Sequence, residues 1–414
     1  MPLFQPTYGV FSVLIGMGLL GLSLALGCHT PDAPLDPAPA RSVLSDVTAE
    51  VGLDFVHDNG MSGQWYFVEM MGGGGALFDY DNDGDLDLYA VQGHALNPAE
   101  PGATTPRDRL YRNDLELRPD GSPALRFTDV TEASGLAATG YGMGATTGDY
   151  NNDGWVDLYV LNWGDNQLWR NNGDGTFTDV TRESGTHDAG WSTAAAFLDF
   201  DRDGWLDLMI VNYVAYTLAN DHPCFSTSSG GRDYCHPSAY PPAPDRLLRN
   251  QGDGTFENVT FPMRVARAYG AGLGLAVADF NSDGWADLYV ANDGMENQFW
   301  LNLEGRYFQN EAVPSGTAVN SAGAPEASMG VNAADFDGDG DEDLFMTHLT
   351  RETNTLYLNR GGALFDDRSR VSGVGAASLP YTGFGTAPLD YDNDGWLDLF
   401  IANGHVGVIE EQVR

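Results

Sequence analysis

The sequence predicts an all-β protein, a β-propeller built from four-stranded blades. Two observations carry the prediction. An acidic loop recurs six times along the 414 residues, and every copy but the last is followed by the same succession of short apolar runs and turns. Four-stranded units repeated at such a period are typical of propellers, because a single blade buries both of its faces only when neighbouring blades stack on it.

The acidic loop reads DYDNDGDLDL at 79–88, and later copies begin at positions 149, 199, 279, 335 and 390. The intervals are 70, 50, 80, 56 and 55 residues, so the basic unit has about 50–55 residues and the two long intervals carry insertions, at 92–107 and 215–243. After each loop an apolar β-type run such as DLYVLN leads to a hairpin such as WRNNGDGTF, where Asp-Gly indicates a tight turn. We therefore expect four short strands per unit and no helix after residue 44.

The two ends of the repeat region are atypical. SDVTAEVG at 45–52 matches the end of a unit, TDVTEASG at 128–135, although no unit precedes it. The sixth unit continues through DLFIANGHVGVIEEQVR without the usual hairpin. We expect the N-terminal strand to complete the last blade. Either 405–413 supplies the missing third strand and the ring has six blades, or the chain is a C-terminally shortened form of a larger propeller.

Residues 1–28 are predicted to be a signal peptide with a lipobox-like end. An uncharged apolar run at 10–27 ends in LALGC, which indicates lipidation of Cys28, although 18 residues also match a short transmembrane anchor. Residues 29–44 form a Pro/Ala-rich linker, and 45–414 the propeller. We expect an exported protein, either a bacterial outer-membrane or cell-surface lipoprotein or a periplasmic or extracellular protein. It would contact the membrane only through its N-terminal anchor.

The charge balance excludes one class of partner. The chain has 59 acidic and 20 basic residues and a net charge of −39, which argues against nucleic acid because phosphates need Lys and Arg partners. With Cys28 assigned to lipidation, Cys224 and Cys235 in the second insertion remain either as a disulfide, which suits export, or as two free thiols.

The composition of the loops predicts calcium binding. Asp at positions 1, 3, 5 and 9, with Asn allowed at 3, and the backbone carbonyl at 7 supply hard oxygen ligands, while Gly at 6 permits the sharp turn. Ca²⁺ accepts such sets more readily than Mg²⁺, which ranks second. An EF-hand is excluded because position 12 is apolar in every copy and the flanks have strand character.

About six structural calcium ions are expected, each fastening the connection between the first and second strands of a blade. The candidate ligands are Asp79, Asp81, Asp83, Asp85 and Asp87; Asp149, Asn151, Asp153, Trp155 and Asp157; Asp199, Asp201, Asp203, Trp205 and Asp207; Asp279, Asn281, Asp283, Trp285 and Asp287; Asp335, Asp337, Asp339, Asp341 and Asp343; and Asp390, Asp392, Asp394, Trp396 and Asp398.

These loops resemble the calcium-binding FG-GAP/VCBS repeats of integrin-type propellers. The runs FVHDNGMSGQWYFVEMMGGGGALFDYDNDGDLDLY and GFGTAPLDYDNDGWLDLFIANGHV further resemble the cartilage acidic protein 1-like (ASPIC/UnbV-associated) family. The resemblance covers 45–405 and implies a seven-bladed, extracellular, calcium-loaded propeller with a role in adhesion or protein interaction. Family members usually continue into an ASPIC/UnbV module. This sequence has no such module, which favours the shortened-chain interpretation.

Other polar residues give weaker signals. His94 and His405 each follow a ninth-position Asp by seven residues, and together with His57, Glu69 and His348 they either line an opening for a metal or ligand or cap loops by hydrogen bonding. The four tryptophans at loop position 7 are expected to pack between blades rather than to stack on carbohydrate.

Two functions remain open because no catalytic constellation is visible. The favoured one is a surface binding or adhesion propeller without enzymatic activity, whose protein or glycan ligand contacts the insertions at 92–107 and 215–245. The alternative is an exported enzyme or biosynthesis accessory protein that acts on a sugar or small molecule at the propeller opening, where His94 and His405 would take part.

Overall fold

The computed structural model describes residues 44–96, 106–226 and 229–406. The chain divides into two units, Met1–Asp46 and Val47–Arg414, and the elements below all belong to the second. The predicted signal peptide, Cys28 and most of the first insertion lie outside the described residues. Within the described ranges, no helix has both the length and the apolar character needed to span a membrane.

Five four-stranded antiparallel sheets follow one another along the chain, which confirms the all-β, blade-based architecture. In each sheet the strands pair in chain order, with a small two-stranded hairpin inserted in blades 1 and 3. Blade 1 contains β1 (Gly75–Phe78), β2 (Asp87–Ala90), β3 (Arg109–Asn113) and β6 (Phe127–Asp129), with the hairpin β4 (Glu116–Leu117) and β5 (Pro123–Ala124). Blade 2 contains β7 (Tyr141–Gly148), β8 (Asp157–Trp163), β9 (Gln167–Asn171) and β10 (Phe177–Asp179).

The remaining sheets repeat this pattern, except that the sixth has two strands within the described residues. Blade 3 contains β11 (Ser192–Leu198), β12 (Asp207–Asn212), β15 (Arg246–Asn250) and β16 (Phe256–Asn258), with the hairpin β13 (Cys224–Phe225) and β14 (Arg232–Asp233). Blade 4 contains β17 (Gly272–Ala278), β18 (Asp287–Asn292), β19 (Gln298–Asn302) and β20 (Phe308–Asn310). Blade 5 contains β21 (Val331–Ala334), β22 (Asp343–Met346), β23 (Thr355–Asn359) and β24 (Phe365–Asp367), and the sixth sheet contains β25 (Thr382–Leu389) and β26 (Asp398–Gly404).

The first strands of successive blades lie side by side, and the second strands are buried between blades. Strands β12 and β18 are buried along their whole length, since each is covered on both faces. The first strands approach closely: a Cβ built on Gly274 of blade 4 would lie 2.3 Å from the Met329 carbonyl oxygen that leads into blade 5. Small residues in the first strands therefore permit the crowding at the centre.

Single helical turns follow the fourth strand in four of the blades, so the expectation of no helix was wrong. The turns have four or five residues, which is too short for a helical periodicity to show in the sequence. Four of them end at a glycine with positive φ, such as Gly135 at 72°. They are α1 (Thr131–Ser134), α2 (Thr181–Ser184), α3 (Ala312–Ser315), α4 (Ser369–Ser372) and α5 (Val374–Ser378), beside 3₁₀ turns at Phe67–Met70, Pro237–Ala239 and Val265–Arg267.

The N-terminal segment forms a turn rather than the expected strand. Val51 N–H donates to the Val47 carbonyl at 3.0 Å, and Gly52 has φ 86°, as at the end of α1. The Val51 carbonyl accepts a hydrogen bond from Phe127 N–H of β6 at 2.7 Å. The segment thus lies against blade 1, and its similarity to 128–135 reflects the helical turn more than the strand.

The sixth sheet is covered on fewer sides than the others. Phe400 is 49% exposed, whereas Tyr159 and Tyr289, at the same place in blades 2 and 4, are fully buried. Trp396 is 62% exposed. Residues 407–413 lie outside the described ranges, so the proposed third strand, and with it the choice between six and seven blades, stays a prediction.

A side chain at the entrance to the third strand caps the end of the second strand in all five complete blades. In blade 3 this residue is Asp245, which is 3% exposed and accepts a hydrogen bond from Asn212 N–H at 2.9 Å. Its Oδ2 atom is buried without a hydrogen-bond partner. The equivalent acceptors are Asp108, Asn166, Asn297 and Asn354.

We predict that Asp245→Asn stabilises the protein at pH 8. Burial raises the pKa of Asp245 to about 7, and Asp188 adds to the rise while the Asn212 N–H opposes it. The unfolded chain loses this proton near pH 4, so the carboxyl destabilises the fold increasingly from pH 4 to 7. Asn, already present at this place in three blades, does not titrate. We expect a gain of about 1–3 kcal/mol in unfolding free energy at pH 8 and almost none at pH 4.

Denaturant unfolding at the two pH values, with calcium held constant, measures this difference. Asp253→Asn is the matched control, because it removes the same charge from an exposed turn of the same blade. An equal gain in the control would assign the effect to net charge and contradict the role given to Asp245.

Candidate metal centres

The six acidic loops share one backbone conformation. In loop 1, the first-position Asp79 accepts hydrogen bonds from Asp83 N–H at 3.1 Å and Gly84 N–H at 2.9 Å. Asp83 in turn accepts from Asp85 N–H at 3.0 Å. Asn82 and Gly84 have positive φ angles of 58° and 95°, which fold the chain back on itself. The bonds to the first-position Asp recur in the other five loops.

This conformation brings carboxylate oxygens together. In four of the loops, three acidic side chains each place an oxygen within 4.8 Å of the others. Loops 2 and 4 have Asn at position 3, and there Asn151 and Asn281 each accept from the fifth-position N–H at 3.0 Å. The four acidic groups are Asp79, Asp81 and Asp87; Asp199, Asp201 and Asp203; Asp335, Asp337 and Asp339; and Asp390, Asp392 and Asp398.

Two third-position carboxylates have oxygens that the protein itself does not satisfy. Oδ1 of Asp81 and Oδ1 of Asp201 are buried without a hydrogen-bond partner. Burial raises the pKa of both carboxyls, and in Asp81 the neighbouring Asp83 and Asp79 raise it further. Arg249 offsets part of the charge in loop 3, at 2.7 Å from Asp201. Oxygen donors without His or Cys fit a hard cation such as Ca²⁺ or Mg²⁺.

The ninth-position aspartates have a structural role that the sequence did not reveal. Asp207 is fully buried, and its two oxygens accept from Phe200 N–H at 3.1 Å and from Asn250 N–H at 2.8 Å. One carboxylate thus joins the loop, the second strand and the third strand. The same pair of bonds is made by Asp87, Asp157, Asp287 and Asp343.

Burial is the largest cause of a raised pKa in these five carboxyls. The pKa reaches about 6 in Asp87 and Asp343, about 7 in Asp207 and Asp287, and about 8 in Asp157. The backbone N–H donors oppose the rise. Asp87 and Asp398 also belong to the oxygen clusters described above, so the ninth position lies at the inner edge of the candidate metal centre.

An asparagine at the end of the third strand links neighbouring blades. The side-chain amide of Asn250 donates to the Leu206 carbonyl of its own loop at 3.0 Å and to the Tyr150 carbonyl in the loop of blade 2 at 2.8 Å. The sequence shows this residue as a recurrent Asn before the hairpin, but its role was missed because Asn there also fits a turn. The same two bonds are made by Asn171, Asn302 and Asn359.

The fourth loop position also reaches the next loop. Asn82 donates to the Gly154 carbonyl at 3.0 Å, and Asn152 to the Gly204 carbonyl at 2.9 Å. Arg202 continues the series by stacking on Trp285, with its guanidinium carbon 4.5 Å from the ring centre. The acidic loops therefore contact one another in succession.

The expected packing between blades is confirmed for two of the four position-7 tryptophans: Trp285 contacts Arg202 of blade 3, and Trp396 lies 3.4 Å from a Cβ built on Gly338 of blade 5. Trp155 and Trp205 lie against glycines of the third-to-fourth-strand hairpin in their own blades, Gly173 and Gly252. Trp285 packs in the same way and in addition contacts Arg202 of the preceding blade. The hairpin glycine thus makes room for the tryptophan ring. In the sequence, this glycine and the loop tryptophan belong to two separate motifs, so their contact was not predicted.

The five residues singled out from the sequence, His57, Glu69, His94, His348 and His405, are not among the residues that line the central cavity. His348 is 1% exposed and hydrogen-bonds Ser328 Oγ at 3.2 Å, and burial lowers its pKa to about 4. His57 and His94 contact backbone carbonyls, at 3.3 and 3.0 Å. Glu69 is fully buried and accepts from Ser62 N–H at 3.0 Å, while His405 is exposed at the end of β26. Loop capping describes His57 and His94 better than a shared ligand site.

We predict that Asn250→Ala destabilises the protein more than Asn113→Ala does. Both residues are buried at the end of a third strand. Asn113 donates to the Leu86 carbonyl of its own loop, and among the described residues no bond from its side chain to another blade is present. Asn250→Ala leaves two buried carbonyls without a donor, one of them across the blade boundary, so we expect an extra cost of about 1–3 kcal/mol.

Urea unfolding of the two variants at the same calcium concentration measures the difference. Equal losses would show that the bond from Asn250 to the Tyr150 carbonyl contributes nothing to the contact between blades.

Comparison with known proteins places these loops in a family. A family model described as FG-GAP-like repeat matches residues 79–160, 149–210, 238–290, 279–346 and 335–401. The chain is also 30% identical over 167 residues to cartilage acidic protein 1 of Xenopus tropicalis, across 39% of this chain and 25% of the relative. The human protein is 29% identical over 172 residues, across 39% and 24%. The chain therefore spans about a quarter of the length of these relatives.

Solved structures that match parts of the chain share little sequence with it. One is an Agrocybe aegerita lectin that recognises non-reducing terminal N-acetylglucosamine, with a TM-score of 0.41 and 18% identity, covering 79% of this chain and 73% of the lectin. Another is the V. cholerae biofilm matrix protein Bap1, with a TM-score of 0.36 and 12% identity, covering 78% and 45%.

Proposed function

The chain belongs to the FG-GAP-like repeat family, and we propose that it is an exported binding module whose blades are fastened by calcium ions. One observation carries the proposal: the loops bring carboxylates together while leaving buried oxygens of Asp81 and Asp201 without a partner. A divalent cation converts the mutual repulsion of these groups into attraction. The carboxylates at positions 1, 3 and 5, the position-7 carbonyl and the ninth-position Asp would hold it.

Calcium is the ion we propose, with about six bound per chain. Ca²⁺ accepts six to eight oxygen ligands in flexible geometry, whereas Mg²⁺ demands a near-ideal octahedron. The six loops differ at position 3, where four carry Asp and two carry Asn, and calcium tolerates this variation. Because loops 1 to 5 each contact the loop that follows, an ion bound there would stabilise the junction between blades as well as its own loop.

Two features of the chain support export, the apolar N-terminal run and the disulfide in the second insertion. The apolar run at 10–27 ending at Cys28 fits a lipoprotein signal. The structure joins Cys224 and Cys235 in a disulfide with 5.1 Å between the Cα atoms, which suits an oxidising compartment. FG-GAP-like repeats are also typical of extracellular proteins. We propose a protein or glycan partner at the cell surface, and the net charge of −39 disfavours nucleic acid.

The second insertion contributes to the core, which limits how its role in binding can be tested. Tyr216 and Tyr240 are 3% and 4% exposed, and both pack on Phe67, at ring-centre distances of 5.8 and 5.5 Å. Deleting 215–243 would therefore expose a buried aromatic cluster. Substitutions of exposed residues such as Phe225, which is 62% exposed, probe partner binding without that damage.

We predict that calcium raises the thermal unfolding temperature of the full chain and that excess EDTA removes the increase. Ions that bind only the folded state must stabilise it. Metal content measured on the same sample should be about six calcium ions per chain. No change in unfolding temperature and no bound calcium would contradict the proposal.

Two variants of loop 3 sharpen the experiment. Asp203→Asn removes a fifth-position carboxylate that all six loops share, so we expect the loss of one ion. Asp201→Asn introduces the residue that loops 2 and 4 carry at position 3, so we expect that ion to remain. Loss of calcium in both variants alike would show that charge, rather than ligand position, controls binding.

A further inference from the structure

A cavity of about 650 Å³ lies at the centre of the blades. Its wall includes residues from all six sheets or from the segments leading into them, and the second insertion contributes at one side. The six wall positions, in blade order, are Gly73, Met143, Thr193, Leu273, Met329 and Phe384. The volume is that of a site for a small organic molecule.

Most of the wall is apolar and adaptable. Four methionines line it, and unbranched thioether side chains adjust to ligands of different shape. Leu273, Leu349 and Phe384 complete the apolar part. Such a surface offers few hydrogen-bond partners to the hydroxyl groups of a sugar, and burying a polar group without a partner costs free energy. The methionines are Met70, Met71, Met143 and Met329.

The polar part of the wall carries negative charge. Asp233 and Asp293 line the cavity, and among the described lining residues none is Lys or Arg. Asp293 accepts a hydrogen bond from the Tyr213 hydroxyl at 2.6 Å, which fixes its orientation. His236 also lines the cavity. The Tyr234 hydroxyl is buried without a hydrogen-bond partner.

The second insertion holds these polar groups in place. Asp233, Tyr234 and His236 lie next to Cys235, whose disulfide to Cys224 closes the segment. Tyr234 packs edge-on against Trp65, with 5.4 Å between ring centres. Arg232 donates to the Gln64 carbonyl at 3.3 Å. The acidic side of the cavity is therefore anchored on two chain segments before any ligand binds.

We propose that this cavity binds a small organic cation, an amine or quaternary ammonium with an apolar body. Asp233 and Asp293 supply the counter-charge, and Tyr213 and Tyr234 are the aromatic residues of the same side of the wall. The apolar body lies among the methionines. Two carboxylates, with no Lys or Arg among the described lining residues, disfavour an anion, and the apolar wall disfavours a free sugar. This assignment goes beyond the calcium loops and does not depend on export or on a cell-surface partner.

Isothermal titration of the calcium-loaded full chain with hexyltrimethylammonium tests the proposal. Two probes of the same chain length serve as comparisons, neutral 1-hexanol and anionic hexanoate. We expect the cation to bind at least about tenfold more tightly than hexanol, since a charge-assisted contact adds about 1.4 kcal/mol or more. Hexanoate should not bind. Equal affinity for the cation and hexanol, or no binding of the cation, would overturn the proposal.

Two variants locate the site. Asp293→Asn keeps an acceptor for the Tyr213 hydroxyl but removes the charge, so affinity for the cation should fall about tenfold while that for hexanol is unchanged. Asp253→Asn, an exposed turn residue, is the matched control and should bind as the parent does. Gly385→Phe fills the cavity, because a Cβ at Gly385 has no atom within 4 Å. Its unfolding temperature in calcium verifies the fold, and undiminished binding in that variant would place the ligand elsewhere.

Discussion

The bond between a third-strand asparagine and the loop of the preceding blade is the interaction on which the rest of the structure depends. Asn250 donates to carbonyls on both sides of a blade boundary, while its backbone N–H donates to the ninth-position Asp207. Through these bonds the third strand, the acidic loop and the neighbouring loop are fixed together. The apolar faces of the blades, such as Leu198 and Val211 against Val290, can then pack without sliding.

The repeated motif made the architecture predictable, because its period and its turn residues determine where strands begin. Single helical turns and the roles of individual buried side chains were not predictable from the sequence. The turn at 131–134 is shorter than any periodic signal, and the role of Asp207 depends on which atoms meet its oxygens. The second insertion shows a third limit. Its many Pro, Ser and Gly residues resemble those of a surface loop, whereas Tyr216 and Tyr240 anchor it in the core.

The candidate sites use two different chemistries in one fold. The acidic loops offer hard oxygen donors, and their partly buried Asp81 and Asp201 oxygens need an external partner. The central cavity is lined by thioethers, aromatic rings and two carboxylates. The two candidate sites use different parts of each repeat: the calcium ligands lie in the loop after the first strand, and the cavity is lined in part by the first strands or the segments leading into them. The wall can therefore vary to suit a ligand while the loops remain constant.

The uneven cover of the sixth sheet has a consequence for how the molecule opens. In a protein whose repeats each contact only their neighbours, stability is close to a sum of terms from each repeat and from those contacts. Phe400, Trp396 and Leu389 of the sixth sheet are exposed in the described structure, so within the described residues we expect β25 and β26 to open locally more readily than the strands of the five complete blades. Fluctuations that separate backbone hydrogen bonds should begin there and spread toward blade 5. The exposure of the sixth sheet, more than its place in the chain, therefore determines where local opening starts.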